Sequence, residues 1–484
     1  MNSSNNALKF KVFSGFLWRF TEKAGTSVVR FAVSVILARI LAPEFFGIMA
    51  IVFVFVGFAD LLIESGFKNA LIQKENADEL DFSTVFYFTT AISFVLYALI
   101  FFAAPIIAEF YEYTQITAIL RLVSLRLIIT GVNTAQTAYA SRNMLFKRFF
   151  WSNGGAVVLS TIVALVMAFA GFGIWSLAAQ NLASSAGTVT ILWFTLKWRP
   201  TLSFSWQRMK GMYSYGWKLL LSAVILNIYS ELRTLFIGRL YSSADLAYYT
   251  RGKNFPALIS DNATRTIGSV IFPAFSQKQK SAEAVKNIMR QSMSAASYLI
   301  CPMMAGLAII AEPLVLLLLT DTWIEAVPFL QIACWSFALQ PLQNANIQAI
   351  DAMGRSDVTL KLRILKTAIG IGILLIVMRH GVFAIALSTI LTSSIFSVIN
   401  IIPNAKLINY RFTEQMADIL PYIGLSAIMA AIIYPLRFLQ ISDTLIIFLQ
   451  IIIGASVYLL LSGIFKLKVF HFILNTAKQF FQRR

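Results

Sequence analysis

The sequence is poor in the residues that build soluble enzymes, disulfide scaffolds and metal sites. Charged residues make up 13% of its 484 residues, well below the roughly 25% of ordinary soluble domains. Its two cysteines are too few for a disulfide framework, and its two histidines are too few for a histidine-based metal cluster. It also lacks a Walker A motif and any recognisable nucleophile–base pair. We therefore expect no catalytic site, no cofactor and no ATP hydrolysis.

Long apolar runs take the place of these features, and 58% of the residues are hydrophobic. Runs of about 18 or more apolar residues indicate membrane-spanning helices. We predict an all-α integral membrane protein with about fourteen transmembrane helices. The predicted segments are 12–38, 44–65, 82–108, 115–140, 151–170, 174–196, 213–239, 246–275, 288–310, 327–350, 361–379, 382–402, 419–436 and 444–465.

The basic residues lie mostly on one side of these predicted segments. The connections on that side, together with the two termini, hold twenty-six lysines and arginines, whereas the other side holds only Arg39, Arg379 and Arg437. Since cytoplasmic loops carry the excess of lysine and arginine, we predict that both termini are cytoplasmic. The net charge of +18 then reflects topology and attraction to anionic membrane lipids, and we expect no nucleic-acid partner.

The start and the middle of the chain resemble each other. The segment that begins at Gly15 is similar to the one that begins at Gly216, and in both an arginine, Arg39 or Arg239, follows a small residue and precedes two apolar ones. Six predicted helices separate the two copies, so the halves should share one orientation and be related by an axis along the membrane normal, with a cleft between them. The predicted boundaries are 1–200 for an N-terminal lobe, 201–404 for a C-terminal lobe, 405–466 for two additional helices, and 467–484 for a basic amphipathic cytoplasmic tail.

Sixteen charged residues lie inside five of the predicted segments. A charge at the bilayer centre costs at least about 2.5 kcal/mol, so such residues normally face a watery cavity or a partner. Eleven of them are cationic and five are anionic, so pairing within the set leaves a cationic surplus. Arginine binds phosphate oxygens in a bidentate manner and lysine adds a point charge, so a cationic cavity indicates an anionic substrate. The predicted substrate-binding residues are Arg19, Lys23, Arg30, Arg126, Lys218, Arg233, Arg251 and Arg265.

The intramembrane carboxylates have a different predicted role. Asp60, Glu64 and Asp261 are candidates for coupling transport to an ion gradient, because carboxylates in a membrane relay protons or bind sodium. Helix capping is an equal alternative for the first two. A second alternative holds for the whole charged set, namely that its members form ion pairs that only join helices.

Several segments carry a family resemblance: ILARILAPEFFGIMAI, FADLLIESGFKNALIQ, DFSTVFYFT, SRNMLFKR and GFGIWSLAAQ. With them the chain resembles the polysaccharide-export branch of the multidrug/oligosaccharidyl-lipid/polysaccharide exporter superfamily, in particular the WzxC-like (colanic acid type) lipopolysaccharide flippases of bacteria. The resemblance implies two lobes around a central cavity and a location in the bacterial inner membrane. It also implies alternating-access flipping of an undecaprenyl-pyrophosphate-linked oligosaccharide, driven by a proton or sodium gradient, with the cavity cations holding the pyrophosphate. Polysaccharide polymerase and glycosyltransferases would be functional partners of a protein that we expect to be a monomer.

Three other functions fit the sequence less well. An ion-coupled multidrug exporter of the same superfamily should have a cavity rich in carboxylates, which the cationic surplus disfavours. A peptidoglycan-precursor flippase would need similar cavity chemistry and stays open. A membrane polysaccharide polymerase would need a long, charged outer loop, and the predicted outer connections are short.

Overall fold

The computed structural model of the chain is helical. It describes residues 2–64, 67–74, 76–278 and 281–471, and no β-strand occurs among these residues. The predicted class, an all-α integral membrane protein, is confirmed. Most of the predicted cytoplasmic tail lies outside the described residues.

The chain divides into two compact units, Met1–Leu246 and Ala247–Arg484. The helices that begin in the first unit are α1 (Asn2–Ile40), α2 (Pro43–Glu64), α3 (Phe67–Gln73), α4 (Glu79–Tyr111), α5 (Gln115–Arg142), α6 (Phe146–Phe169), α7 (Ile174–Thr195), α8 (Trp206–Leu240) and α9 (Ser243–Lys278). Those of the second unit are α10 (Ala282–Ile309), α11 (Ala311–Leu319), α12 (Ala326–Ala338), α13 (Gln340–Ala352), α14 (Ser356–Val377), α15 (Val382–Leu407), α16 (Phe412–Ile433) and α17 (Asp443–Ile464), with short 3-10 helices at Asp321–Trp323 and Tyr434–Phe438.

Helix occupies each of the fourteen predicted segments. Within the described part of the chain, eight helical stretches are long and apolar enough to cross a membrane by length and composition. The charge-rich helices α1, α8 and α9 are not among those eight. The number of fourteen spans therefore stays a prediction.

Two features of the helices were not predicted. The short helices α3 and α11 follow α2 and α10 directly, where the sequence analysis placed connections. The predicted segment 327–350 is interrupted at Leu339, because Pro341 occupies the first turn of α13. A proline inside a helix removes one backbone hydrogen bond and clashes with the carbonyl four residues earlier, so the helix restarts there.

Helix α8 packs on α2, α3 and α4, and the first unit therefore extends through Leu246. The connection before α8 is tied to the start of α4: the Ser205 N–H donates to Thr84 Oγ1 (3.1 Å). Arg208 donates to Asp78, which lowers the pKa of that carboxyl group below its usual value. The predicted lobe boundary at residue 200 was inferred from the sequence repeat. These contacts do not test the repeat, so this boundary stays a prediction.

In the second unit, α16 packs along α10. Arg290 Nε donates to Asp418 Oδ2 at 2.6 Å, and Lys286 Nζ lies 2.7 Å from Glu414 Oε2. The hydroxyl of the buried Tyr410 also donates to Asp418. These contacts hold α16 against α10. In the predicted repeat, α16 has no counterpart in the first half of the chain.

Candidate functional site

The polar face predicted for α1 is divided in the structure. Glu22 turns toward α6 and is only 5% exposed. Its Oε1 accepts a hydrogen bond from Asn153 Nδ2 at 2.6 Å. One turn earlier, Trp18 packs edge-on against Phe150 of α6, with ring centroids 5.2 Å apart. Glu22 is therefore part of the contact between α1 and α6.

Lys23 and Arg30 are instead exposed. Neither side chain forms an ion pair or a hydrogen bond with any part of the chain that the structure describes. They are seven residues apart, so they share one helical face and lie about 10 Å apart along its axis. With α1 placed in the membrane as predicted, we expect this face to border water, because an unpaired charge at that depth is costly against lipid.

Arg126 and Asp60, which the sequence analysis assigned to different roles, form an ion pair. Arg126 Nη2 of α5 lies 2.6 Å from Asp60 Oδ2 of α2. Arg126 Nη1 also donates to Asn181 Oδ1 of α7 at 3.3 Å. The arginine is 31% exposed and the aspartate 13%. The pair thus joins three helices and still presents part of the guanidinium to solvent.

Arg121 has a structural partner on α4. Pro105 lies inside that helix and has no N–H, so the carbonyl of Phe101 loses its helical donor. Arg121 Nε donates to this carbonyl at 3.1 Å, and its guanidinium carbon lies 4.1 Å from the Phe101 ring centroid. Arg121 therefore compensates for the proline.

The charged residues of α8 differ in their surroundings. Arg233 is buried, and its guanidinium carbon lies 5.8 Å from the ring centroid of Tyr229 one turn earlier. Arg239, at the end of α8, lies 2.9 Å from Glu112 Oε1 beyond the end of α4. Arg233 is thus an interior cation of the first unit, and Arg239 links two helix ends.

The remaining predicted residues are spread over both units. In the second unit the Arg251 guanidinium carbon lies 5.5 Å from the Trp323 ring centroid, and Asp261 is half-buried. Glu64 is exposed at the end of α2. The helix backbone is described at three further predicted positions whose side chains lie outside the description: Arg19, Lys218 and Arg265.

The sequence analysis omitted three polar residues that complete the first unit's interior. Asn153 contacts Glu22, Asn181 contacts Arg126, and the Thr188 hydroxyl donates to Asn153 Oδ1 at 3.4 Å. Their signal was available, because they are amide and hydroxyl groups within the apolar segments 151–170 and 174–196. These groups contact Glu22 and Arg126 inside the first unit, whereas Lys23 and Arg30 lie on the exposed side of α1.

Among known proteins, the chain is similar to proteins of bacterial polysaccharide biosynthesis. The chain is 26% identical over 342 residues to the succinoglycan biosynthesis transport protein ExoT of Rhizobium meliloti (strain 1021), covering 70% of this chain and 69% of that protein. It is 22% identical over 370 residues to the lipopolysaccharide biosynthesis protein WzxC of Escherichia coli (strain K12), covering 75% and 74%.

Solved structures with the same fold belong to membrane transporters. A structure of the lipid II flippase MurJ in an inward closed conformation superposes with a TM-score of 0.74 at 14% identity, covering 91% of this chain and 98% of that one. An inward-facing multidrug resistance MATE family transporter gives a TM-score of 0.62 at 15% identity, covering 79% and 94%. At these identities the likeness concerns the fold alone. The model of the family described as "polysaccharide biosynthesis protein" matches residues 36–328, more than half of the chain, so the chain belongs to this family and the predicted resemblance is confirmed.

Proposed function

We propose that the protein flips an undecaprenyl-pyrophosphate-linked oligosaccharide repeat unit across the bacterial inner membrane by alternating access. Its product would supply surface polysaccharide assembly, which includes exopolysaccharide, O-antigen or capsule. The family membership, the transport and lipopolysaccharide proteins among its relatives and the transporter fold support this function. A polysaccharide polymerase and glycosyltransferases would act beside it, and a proton or sodium gradient would drive it.

One observation carries the proposal: the exposed pair Lys23 and Arg30 has no anionic partner among the described residues. Two uncompensated cations on one helix face are costly in a membrane unless water and a counter-charge reach them. A pyrophosphate group supplies that counter-charge, and its oxygens match the planar fork of arginine. A cationic drug would be repelled by the same pair, so this observation favours the lipid-linked substrate over drug export.

The partly exposed Arg126 and the buried Arg233 would add to the positive potential of the proposed substrate cavity. Asp60 compensates Arg126 directly, so we expect it to contribute less to substrate binding than Lys23 and Arg30. Arg251 would serve the second unit in the same way. The roles of Arg19, Lys218 and Arg265 follow from sequence position alone.

The proposal can be tested by reconstituting the full chain in liposomes with a fluorescent undecaprenyl-pyrophosphate oligosaccharide. Flipping is followed by the accessibility of the label to an impermeant quencher. Arg30→Ala and Lys23→Ala each remove a charge-assisted contact worth about 1.5–3 kcal/mol, which corresponds to roughly a tenfold to hundredfold loss in substrate affinity. Arg30→Lys keeps the charge but loses the bidentate geometry, so its loss should be smaller.

Lys210→Ala is the matched control, because it also removes an exposed cation, near the start of α8. It should flip the probe like the parent. If Arg30→Ala and Lys23→Ala also flip at the parental rate, these cations do not bind the substrate. If the folded parent fails to flip the probe under either a proton or a sodium gradient, the proposed substrate is wrong.

A further inference from the structure

We propose that the segment 201–206, which leads from α7 into the first residue of α8, inserts into the membrane surface on the predicted cytoplasmic side and binds anionic phospholipids there. We call this segment the 201–206 turn. The inference goes beyond the proposed function and does not depend on it, because it concerns the lipids that surround the protein and not the lipid that it would transport.

The 201–206 turn presents three apolar side chains to its surroundings. Leu202 is 99% exposed, Trp206 55% and Phe204 48%. The Ser203 N–H donates to the Thr201 carbonyl at 2.7 Å, which closes a tight turn with Leu202 at its tip. The ring centroids of Phe204 and Trp206 lie 6.3 Å apart. Single exposed apolar residues are common on proteins, but a group of large ones in one place indicates an interaction surface.

The polar residues of the turn alternate with the apolar ones and attach it to the start of α4. The Thr201 N–H donates to Ser83 Oγ at 3.0 Å, and the Ser205 N–H donates to Thr84 Oγ1 at 3.1 Å. Both acceptor residues are fully buried. Ser205 also caps α8, since its Oγ accepts from the Arg208 N–H at 3.4 Å. These hydrogen bonds fix the backbone of the turn, so its apolar side chains are held outward in one arrangement.

The charges next to the turn favour an anionic surface as its partner. Lys197 and Arg199 precede the turn, and both are exposed. Residues 196–207 include no aspartate or glutamate. Lysine and arginine near a membrane attract anionic head groups, and tryptophan places its ring at the level of the head groups. A surface that combines apolar side chains with cations therefore matches anionic phospholipid better than it matches water.

The position of the turn keeps it close to the membrane. Residues 196–205 alone separate α7 from α8, and both helices contain predicted membrane-spanning segments. The apolar surface also continues from the turn along α8: Trp206, Tyr213 and Trp217 are all exposed, and their spacing of seven and four residues places them on one helical face. Since this face leads into the predicted span 213–239, lipid is the partner that can cover the turn and the helix together.

Contact with lipid at the turn would act on two helices. The turn is hydrogen-bonded to the start of α4 through Ser83 and Thr84, and it ends in the first residue of α8. Insertion of Leu202 and Phe204 into the membrane surface would therefore hold the adjacent ends of α4 and α8 at that surface.

The test places a polarity-sensitive dye at residue 202 of the full chain. Leu202→Cys suits this purpose because the side chain is exposed, whereas the native Cys301 and Cys334 are buried. The labelled protein is reconstituted in liposomes of phosphatidylcholine alone or of phosphatidylcholine with phosphatidylglycerol, each with a lipid that carries a nitroxide quencher on its head group. We expect a blue-shifted emission and strong quenching in the anionic liposomes, and weaker effects in the zwitterionic ones.

A charge variant and a control position make the test specific. In the labelled protein, Lys197→Gln removes one cation beside the turn, so the ratio of lipid-bound to free turn, taken from the quenched fraction, should fall about fivefold in anionic liposomes. High salt should weaken the contact of the parent in the same direction. Glu79→Cys is the matched control, because it carries the same dye on an exposed residue at the start of α4, on the same predicted side. Its emission should stay that of a dye in water.

Three results would overturn the proposal. Equal quenching at positions 202 and 79 would show that the turn has no special contact with lipid. Equal quenching at position 202 in the two kinds of liposome would show that anionic lipid is not its partner. A dye at position 202 that stays in water in liposomes and becomes protected only in native membranes would assign the turn to a protein partner. The readout does not require flipping, so failure of the proposed flippase function would leave it unchanged.

Discussion

At the residue scale, the charged side chains of this protein divide into two groups that sequence spacing does not distinguish. Arg121 and Arg30 are both arginines inside apolar segments. The first donates to a carbonyl on the neighbouring helix, whereas the second has no partner among the described side chains. The distinction depends on which helices are neighbours, and a single sequence does not contain that information.

Arg121 provides a direct test of the first group. Arg121→Leu leaves the Phe101 carbonyl without a donor and should lower stability by about 1–3 kcal/mol, the cost of an unsatisfied buried polar group. In a Pro105→Ala background, residue 105 can donate to that carbonyl through the helix, so the same change should cost less. The measurement is the thermal unfolding midpoint of the four proteins in detergent, arranged as a double-mutant cycle.

The double-mutant cycle includes its own control, because the single variant Pro105→Ala measures the stability of the protein when α4 has no proline. Equal losses from Arg121→Leu in both backgrounds would mean that Arg121 does not compensate for Pro105. Arg121→Lys should fall between the parent and the leucine variant, because lysine can donate but cannot stack its plane on the Phe101 ring.

At the element scale, polar side chains hold the helices of the second unit together. Asn346 of α13, Asn404 of α15 and Gln415 of α16 are all 0% exposed. Asn346 Nδ2 donates to Gln415 Oε1 at 2.8 Å, and Asn404 Nδ2 donates to Asn346 Oδ1 at 2.8 Å. A buried network of this kind stabilises only when its members are satisfied.

Removing one member should therefore weaken the packing of three helices. Gln415→Leu leaves an Asn346 donor and the Tyr410 carbonyl short of partners, and we expect a loss of about 1–3 kcal/mol. The unfolding midpoint in detergent checks this, with Gln291→Leu on the exposed side of α10 as the matched control. Equal midpoints for the two variants would show that the network does not support the packing.

Some elements were predictable and others were not, for physical reasons. Long apolar runs located helix in all fourteen predicted segments, since hydrophobic length is a strong signal. The corner after Arg39 has the same backbone form as the corner after Arg239, with a bend at residues 41 and 241 before the next helix. The break before Pro341 could not be predicted from the proline alone, because Pro105 lies inside α4 without interrupting it. The contact between Glu22 and Asn153 could not, because it requires knowing that α1 lies beside α6.

At the scale of the whole molecule, the uneven distribution of lysine and arginine determines the predicted orientation in the membrane. Cytoplasmic loops retain the positive residues during insertion, and the connection between α7 and α8 carries two of them, Lys197 and Arg199. The connection between α16 and α17 carries only Arg437 and lies on the opposite predicted side.

Labelling of single cysteines tests this orientation. The native Cys301 and Cys334 are 3% and 1% exposed, so the parent should react little with a membrane-impermeant maleimide. Leu202, which is 99% exposed, and the exposed Ser442 lie on opposite predicted sides. We expect Ser442→Cys to be labelled on intact spheroplasts and Leu202→Cys only after permeabilisation. The opposite pattern would show that the predicted orientation is inverted. Labelling of both positions from outside would show that they lie on the same side of the membrane.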